Sequence, residues 1–481
     1  MGREKQIIDE RLKKIKEMRE HGIDPYPSKF EKKNSVAECL KIKLGAKAKT
    51  AGRLITKREL GKISFSKLRD SSGAIQIVFQ EGKTSEKIFN FFKKYADIGD
   101  FAGVEGEIFK TKTGEISILV KKIEILSKAI LPLPEKWHGL KDAEERYRKR
   151  YLDLIINPEI KDIFIKKAKF WNIARKFLLD RGFLEVETPI LETSPGGAAA
   201  MPFKTHYNAL NIDVYLRISM GELWQKKLMV AGYEKTFEIG RQFRNEGMDS
   251  EHLQDYTQME FYWAYADYKD GMKIAEEIYK KLAKEILGTL KFESSGYKID
   301  LGKKWELYDY ENVIKKHTGI NIYSATENEI GKKLDELKVE YLKKGGKWKM
   351  VDNLWKYCRK KIAGPGFLIG QPAEISPLAK RDSKNPKKVE QFQIILAGTE
   401  MGNGYSELND SLEQEERFKR QEKLKEKGDV ETPGHDKEFV EALKYGMPPV
   451  CGFGFSERLF ACLINKPVRE CVLFPLMKPE K

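Results

Sequence analysis

The sequence predicts an α+β chain: a small N-terminal β-barrel, then a larger domain built on an antiparallel sheet flanked by helices. Three observations carry this. Five short runs between residues 50 and 126 alternate or are β-branched, with one helical segment interrupting them. Residues 236–268 read as two alternating runs joined by a polar loop. Two glycine-rich runs follow late in the chain, GTEMGNGYSELND at 398–410 and GFGFSERLFACLI at 452–464.

Composition bounds what such a chain can be. Its 481 residues suffice for two to four domains. With 41% hydrophobic and 34% charged residues it has a globular make-up. Lys and Arg exceed the acidic residues by 16, spread along the chain, which favours a polyanionic partner. The five cysteines contain no CxxC pair, so neither a zinc site nor a disulfide framework is expected, and a reducing cytosol suits them. The first residues, MGREKQIIDERLKK, lack the apolar core of a signal peptide, and no apolar run approaches a membrane span.

In chain order, residues 4–20 read as a basic amphipathic helix, with Ile7, Ile8, Leu12, Ile15 and Met18 at helical spacing. It should stop near Gly22 and lie on the next domain, with direct contact to nucleic acid as the alternative. The five runs come next: AGRLITKREL, KISFSKLRD, GAIQIVFQ, DFAGVEGEIF and ISILVKKIEIL, interrupted by SEKIFNFFKKYA. Five strands with one inserted helix suit an OB-type barrel, which binds single-stranded nucleic acid on its open face. The expected division is a helical extension at 1–48, the barrel at 49–135 and the larger domain at 136–481, with Pro132 and Pro134 stiffening the linker.

The larger domain should begin with a helix at 162–181 that ends at Gly182, then a strand, FLEVETPIL, that meets Pro189. Taken alone this is an ordinary helix–strand unit. In the hairpin, 236–244 puts Phe237, Ile239 and Phe243 on one face and Glu238, Gln242 and Arg244 on the other. In 256–264, Met259, Phe261 and Trp263 oppose Gln258, Glu260 and Tyr262. A sheet with one dry and one wet face explains the pattern. However, wet faces favour Thr and Lys, not Glu beside Tyr, and Arg244 stands just before a flexible turn where its fork could hold phosphate. Helical patterns at 308–316, 326–343 and 350–361 mark 291–372 as a helical insertion with little chemistry in it. In 398–410, Asn403, Tyr405 and Glu407 share a strand face, while Gly402 and Gly404 leave the other open to a ligand or another backbone. The run 452–464 is a glycine-rich strand entering an apolar helix, and it fits neither the Rossmann nor the Walker spacing.

At these residues the chain resembles a known family. FRNEG, a loop and YTQMEFYWAYADY resemble motif 2 of the class II aminoacyl-tRNA synthetases, in wording closest to the lysyl-tRNA synthetases. The helix and FLEVETPIL resemble motif 1, the dimer interface of that class, and GFGFSERLFACLI resembles motif 3. The barrel segments resemble the family's anticodon-binding domain. The resemblance spans essentially the whole chain. It implies a class II synthetase catalytic domain behind an OB-fold, a cytoplasmic homodimer, and ATP-dependent ligation of L-lysine to tRNA(Lys) through a lysyl-adenylate, with Mg2+.

Carried over residue by residue, the resemblance gives Arg244 and Arg458 the catalytic roles. Arg244 would hold the α-phosphate and the substrate carboxylate, and His252 and Arg458 would face the distal phosphates of ATP. Tyr256 and Arg458 would sandwich adenine, with Glu246 accepting its amino group. Glu400 and Gln393 occupy the magnesium positions. For lysine, Glu260 and Glu407 with Tyr262 and Tyr405 would form an anionic socket. Glu222 and the backbone near Gly197 would take the α-amino group, and Asn403 the carboxylate. Phe65 and Gln76 would meet anticodon bases.

The chain departs from the family in places. Gln393 stands where a carboxylate is expected, which predicts a weaker or differently arranged metal site. Glu251 replaces an arginine, Lys122 an acidic residue of the anticodon pocket, and motif 3 has Glu457 and one residue fewer. RISMGELWQKK has one residue more than the family pattern and lacks its proline. The alternatives are a paralogue that modifies a protein lysine, an aspartyl- or asparaginyl-type synthetase, and a non-catalytic RNA-binding protein.

Overall fold

A computed structural model describes residues 2–134, 140, 142–198, 200–249, 251–341, 346–426 and 436–480. Part of the expected linker (135–139 and 141) and the end of the helix expected at 326–343 lie outside the described residues. The chain forms two compact units, residues 1–156 and 157–481.

In the first unit, strands Lys47–Leu60, Ile63–Asp70, Gly73–Gln80, Phe101–Lys110 and Ile116–Ser127 close into a barrel. The third and fifth pair in parallel; the other pairs are antiparallel. Alternation puts Leu54, Leu68, Ile75, Ile77, Val104, Ile118 and Val120 inside. Helix Glu86–Tyr95 adds to this core by stacking Phe92 on Phe79, ring centroids 4.0 Å apart. Helix Arg3–Glu20 docks on the same unit. It buries Ile15 and Met18, and Arg11 donates to the carbonyls of Ile98, Ala129 and Leu131.

The second unit is built on an eight-stranded sheet. From edge to edge the strands are Glu306–Asp309, Gly366–Ile369, Gln391–Leu396, Thr399–Ser406, Val450–Ser456, Asp255–Ala264, Lys235–Phe243 and Leu184–Glu185. Only the outermost pair at each edge is parallel. Helices Lys161–Leu179 and Tyr268–Leu287 cover one face. Their Phe170, Phe177, Ile278 and Leu282 share a core with Phe237, Met259, Phe261, Phe392 and Phe453. The other face of the central strands carries the polar side chains.

Four expectations need correction. The strand expected at 183–191 pairs over Leu184–Glu185 only. Past it, Thr188 turns its N–H and hydroxyl to the Glu238 carboxylate, and Pro189 has no N–H to give a ladder. Glu238, expected on the wet face, is buried and accepts from Arg217 at 2.6 Å. The 291–372 insertion is not helical throughout. Besides helices Tyr310–Thr318, Glu327–Glu336 and Gly346–Arg359 it contributes two strands to the sheet. Finally, of the two neighbours expected at Gly402 and Gly404, a ligand or another backbone, only the ligand needs correction: backbone and core side chains fill that face. A Cβ on Gly404 would lie 2.7 Å from both the Phe392 ring and the Gly452 carbonyl, so close packing explains these glycines.

Candidate active site

Central strands of the sheet hold one cleft of about 300 Å³. The hairpin strand Asp255–Ala264 contributes Tyr256, Gln258, Glu260 and Tyr262, since a period of two puts alternate residues on one face. The strand Thr399–Ser406, with Glu407 just beyond it, contributes Asn403 and Tyr405 and is preceded across a tight turn by Gln393. Gly452 and Gly454 lie between these two strands and open the floor. A Cβ on Gly452 would come 2.1 Å from Glu407 Oε1, and one on Gly454 2.6 Å from Glu260 Cγ. Glu222 enters at the first position of helix Glu222–Val230, after Gly221 at φ +65°, where a Cβ would strike Thr188. Gly197 closes the wall at φ +84°, against Ser219 and Glu222.

Negative charge gathers at the closed end. Glu260, Glu407 and Glu222 are buried there. Glu260 accepts from Gln258 Nε2 at 2.5 Å, the Tyr262 hydroxyl at 3.1 Å and the Met220 N–H at 3.3 Å. Burial first, and then the Glu222 charge, push its carboxyl up to about 7. Glu407 is pushed up to about 8, by burial and by Glu222, against the pull of Lys226. The Tyr405 hydroxyl donates to Glu222. Burial above all pushes the Tyr262 and Tyr405 phenols well up, so both stay protonated donors.

Positive charge stands at the open end. Arg244 follows the strand Lys235–Phe243, holds its place through its N–H to the Gln254 carbonyl, and lies 5.7 Å from the Tyr256 ring centroid. Arg458 opens helix Arg458–Leu463 and donates to the carbonyls of Glu251 at 3.2 Å and Glu400 at 3.4 Å. Its guanidinium is thereby braced by backbone, with its fork toward the cleft.

The cleft therefore brings together Gly197, Glu222, Arg244, Tyr256, Glu260, Tyr262, Gln393, Glu400, Asn403, Tyr405, Glu407 and Arg458. Glu246 and His252 are not on its lining. Both are exposed in the hairpin loop, where Glu246 accepts from the Met201 N–H at 3.3 Å and His252 leans on Asp249 at 2.9 Å. Phe65 and Gln76 lie on the barrel, half-buried on neighbouring strands, and Gln76 donates to Ser117. Lys122 pairs with Glu105 at 3.6 Å on the barrel surface.

Two residues escaped the sequence reading. Trp355, on the insertion helix Gly346–Arg359, donates its indole N–H to Glu400 Oε1 at 2.6 Å, while Gln393 Nε2 lies 3.4 Å from Glu400 Oε2. Lys226 is buried between Glu222 and Glu407, its ammonium 2.8 and 2.6 Å from their oxygens. A signal for Lys226 existed. Glu222, Lys226 and Met229 recur at helical spacing on a buried stripe, where a lysine must be paired.

An antiparallel sheet with arginines at the mouth of the cleft and carboxylates at its end, in a chain that also holds an OB barrel, defines a class II aminoacyl-tRNA synthetase. The comparisons agree. The profile of the tRNA synthetases class II (D, K and N) matches residues 142–478, and that of the OB-fold nucleic acid binding domain matches 48–126. The chain belongs to this family of class II tRNA synthetases. It is 42% identical over 488 aligned residues to a lysine–tRNA ligase of Thermosipho africanus, covering 99% of this chain and 96% of the relative. A lysine–tRNA ligase of Thermotoga maritima is 42% identical, with 99% and 97% covered. One from Carboxydothermus hydrogenoformans is 41% identical, with 98% of each chain covered.

Proposed function

We propose that the chain charges tRNA(Lys) with L-lysine through a lysyl-adenylate. The observation that carries this is the closed end of the cleft, where Glu260 and Glu407 meet under the Tyr262 hydroxyl. An aspartyl- or asparaginyl-type pocket needs a free cation or amide there. The cation present, Lys226, is already paired twice. A lysine ε-ammonium is a compact triple donor that suits two carboxylates.

In the first step a carboxylate oxygen of lysine bonds to the α-phosphorus of ATP, and the bond from that phosphorus to the bridging oxygen breaks, releasing pyrophosphate. A hydroxyl of the terminal tRNA ribose then takes the acyl carbon, and AMP leaves. Fixed cations supply more here than a base, because the reacting phosphoryl is anionic. Arg244 holds the carboxylate against the α-phosphate, and Arg458 meets the distal phosphates. Tyr256 offers a ring face to adenine, and Glu222 and Asn403 fix the two ends of the amino-acid backbone. Glu246 and His252 reach ATP from the hairpin loop only if that loop folds inward.

Among the described residues no group of three or more acidic, histidine or cysteine side chains could hold a metal by itself. Glu400, with Gln393 beside it, fits a magnesium ion that arrives with ATP, for which one carboxylate plus phosphate oxygens suffices. When bound, magnesium supplies charge neutralisation of the phosphates.

The barrel presents Phe65 and Gln76 to anticodon bases. A homodimer through the motif 1 region is supported by exposed Leu184, Ile190 and Leu191, 46–51% accessible. No helix among the described residues is long and apolar enough to cross a membrane, and the chain acts in the cytoplasm. ATP–pyrophosphate exchange with each of the twenty amino acids tests the reading. Exchange should depend on lysine; exchange with aspartate, with asparagine or with no free amino acid overturns it.

A further inference from the structure

Lys226 is 1% exposed, yet both of its partners, Glu222 and Glu407, line the cleft. Its ammonium also lies 5.5 Å from the Tyr405 ring centroid and 5.7 Å from that of Phe439. Burying a lysine is costly, and one carboxylate would be enough to pair it. Here it spans two, from different elements: the first turn of its own helix and the end of the glycine-rich strand.

Charge decides what this arrangement accepts. The closed end holds three carboxylates, on Glu222, Glu260 and Glu407, and one ammonium, on Lys226. When all are ionised, two negative charges remain for a ligand. Free lysine brings two ammonium groups to that end, and its carboxylate goes to Arg244. The filled socket is then neutral, as a water-poor site requires. An amino acid with an uncharged side chain would leave one carboxylate unpaired.

We propose that Lys226 is a built-in counter-ion that sets the charge of the amino-acid socket, matching it to a substrate with two ammonium groups, and that it holds Glu222 and Glu407 in place to receive them. This rests on the lysine-activating reading. Lys226 touches neither substrate nor phosphate; it is a positioning residue that acts through its two carboxylates. Without it three negative charges would face two ammoniums, and one carboxyl would keep its proton and present a donor where an acceptor is needed. The titratable groups around it are Glu222 on its own helix, Tyr262 and Glu260 on the hairpin strand, Tyr405 and Glu407 on the glycine-rich strand, and Cys451 beyond Glu407. From the helix Lys437–Lys444 the Phe439 ring faces it.

The test is pyrophosphate exchange by Lys226→Met, which keeps an unbranched side chain one atom shorter and removes its charge. The lysine KM should rise by at least about tenfold while the ATP KM stays level. The acid limb of kcat/KM for lysine should move to higher pH, because the carboxylates lose the cation that favours their ionised form. Lys226→Met combined with Glu407→Gln restores two negative charges and removes one of the two carboxylates that lose their cation, so it is the milder change if the single variant does not fold. Its loss in kcat/KM for lysine should be smaller than the product of the losses in Lys226→Met, or in a neutral Lys226→Gln if needed, and Glu407→Gln. Its acid limb should lie at the wild-type position. A folded Lys226→Met with unchanged lysine KM and pH profile overturns the proposal, as do a matching loss for ATP or losses that simply multiply in the double variant. If the wild-type chain activates lysine, any of these failures falls on Lys226 alone. If it does not, the lysine reading and this proposal fall together.

Discussion

Glu400 stands between two neutral donors, the Trp355 indole and the Gln393 amide, where a second carboxylate would give a divalent ion another anionic ligand. Restoring that charge with Gln393→Glu should lower the magnesium concentration for half-maximal exchange; equal magnesium dependence would place Gln393 away from the metal. Glu260 and Glu407 carry a second prediction. Their carboxyls sit at about 7 and about 8, above the ordinary 4.5. Between those values the folded chain binds protons that the unfolded chain has released, so stability without ligand should fall as pH rises through that window. Lysine needs the ionised forms. Its affinity should therefore rise with pH from about 6 to about 8, and binding should release protons. Calorimetry in buffers of different ionisation enthalpy reads the proton directly, and proton uptake would contradict the assignment.

Among the elements, the strand Val450–Ser456 sets the width of the socket. Gly452→Ala places a Cβ 2.1 Å from Glu407 Oε1 and 2.8 Å from the Tyr262 ring, and neither neighbour can easily retreat. The lysine KM should rise about tenfold, a loss of ~1.4 kcal/mol, with ATP binding level; an unchanged KM would mean that the carboxylate has room to swing. The barrel makes a separate prediction. Phe65→Ala should weaken tRNA affinity by roughly 1–3 kcal/mol while lysine-dependent exchange is untouched; lost exchange would give the barrel another role.

These elements also show what the sequence made legible. The barrel strands and the hairpin could be read because alternating or β-branched runs bounded by turns mark strands, and a period of two shows which apolar side chains share a face. Elements without that signal were misread. Glu306–Asp309 and Gly366–Ile369 are four residues each, too short to show a period, so from sequence they merge into a helical insertion. Glycine runs show close approach but not to what: at Gly404 a ligand or another backbone fits the sequence equally, and the structure brings the Gly452 carbonyl and the Phe392 ring there. The cleft residues were named through motif resemblance, whereas Lys226 and Trp355, which hold those residues in place, belong to no quoted motif role. Trp355 lies 45 residues before Glu400, and nothing local to the insertion points to that partner.

For the molecule as a whole, the charge of +16 and the exposed apolar side chains of the motif 1 region make two demands. Dispersed Lys and Arg imply that tRNA affinity weakens steeply with salt through counterion release. Covering these apolar side chains in a dimer at micromolar concentration is the proposed outcome, which the mass in solution checks; a monomer would count against it. On the proposed reading an anionic socket, not the fold, selects lysine. Calorimetry of lysine binding to the wild-type chain and to Glu407→Gln tests it most directly. Truncating a buried charge contact is worth about 2–5 kcal/mol, so affinity for lysine should fall by roughly one to three orders of magnitude. ATP binding should change little. Equal lysine affinity in the two proteins would rule out Glu407 as part of a lysine-selecting socket.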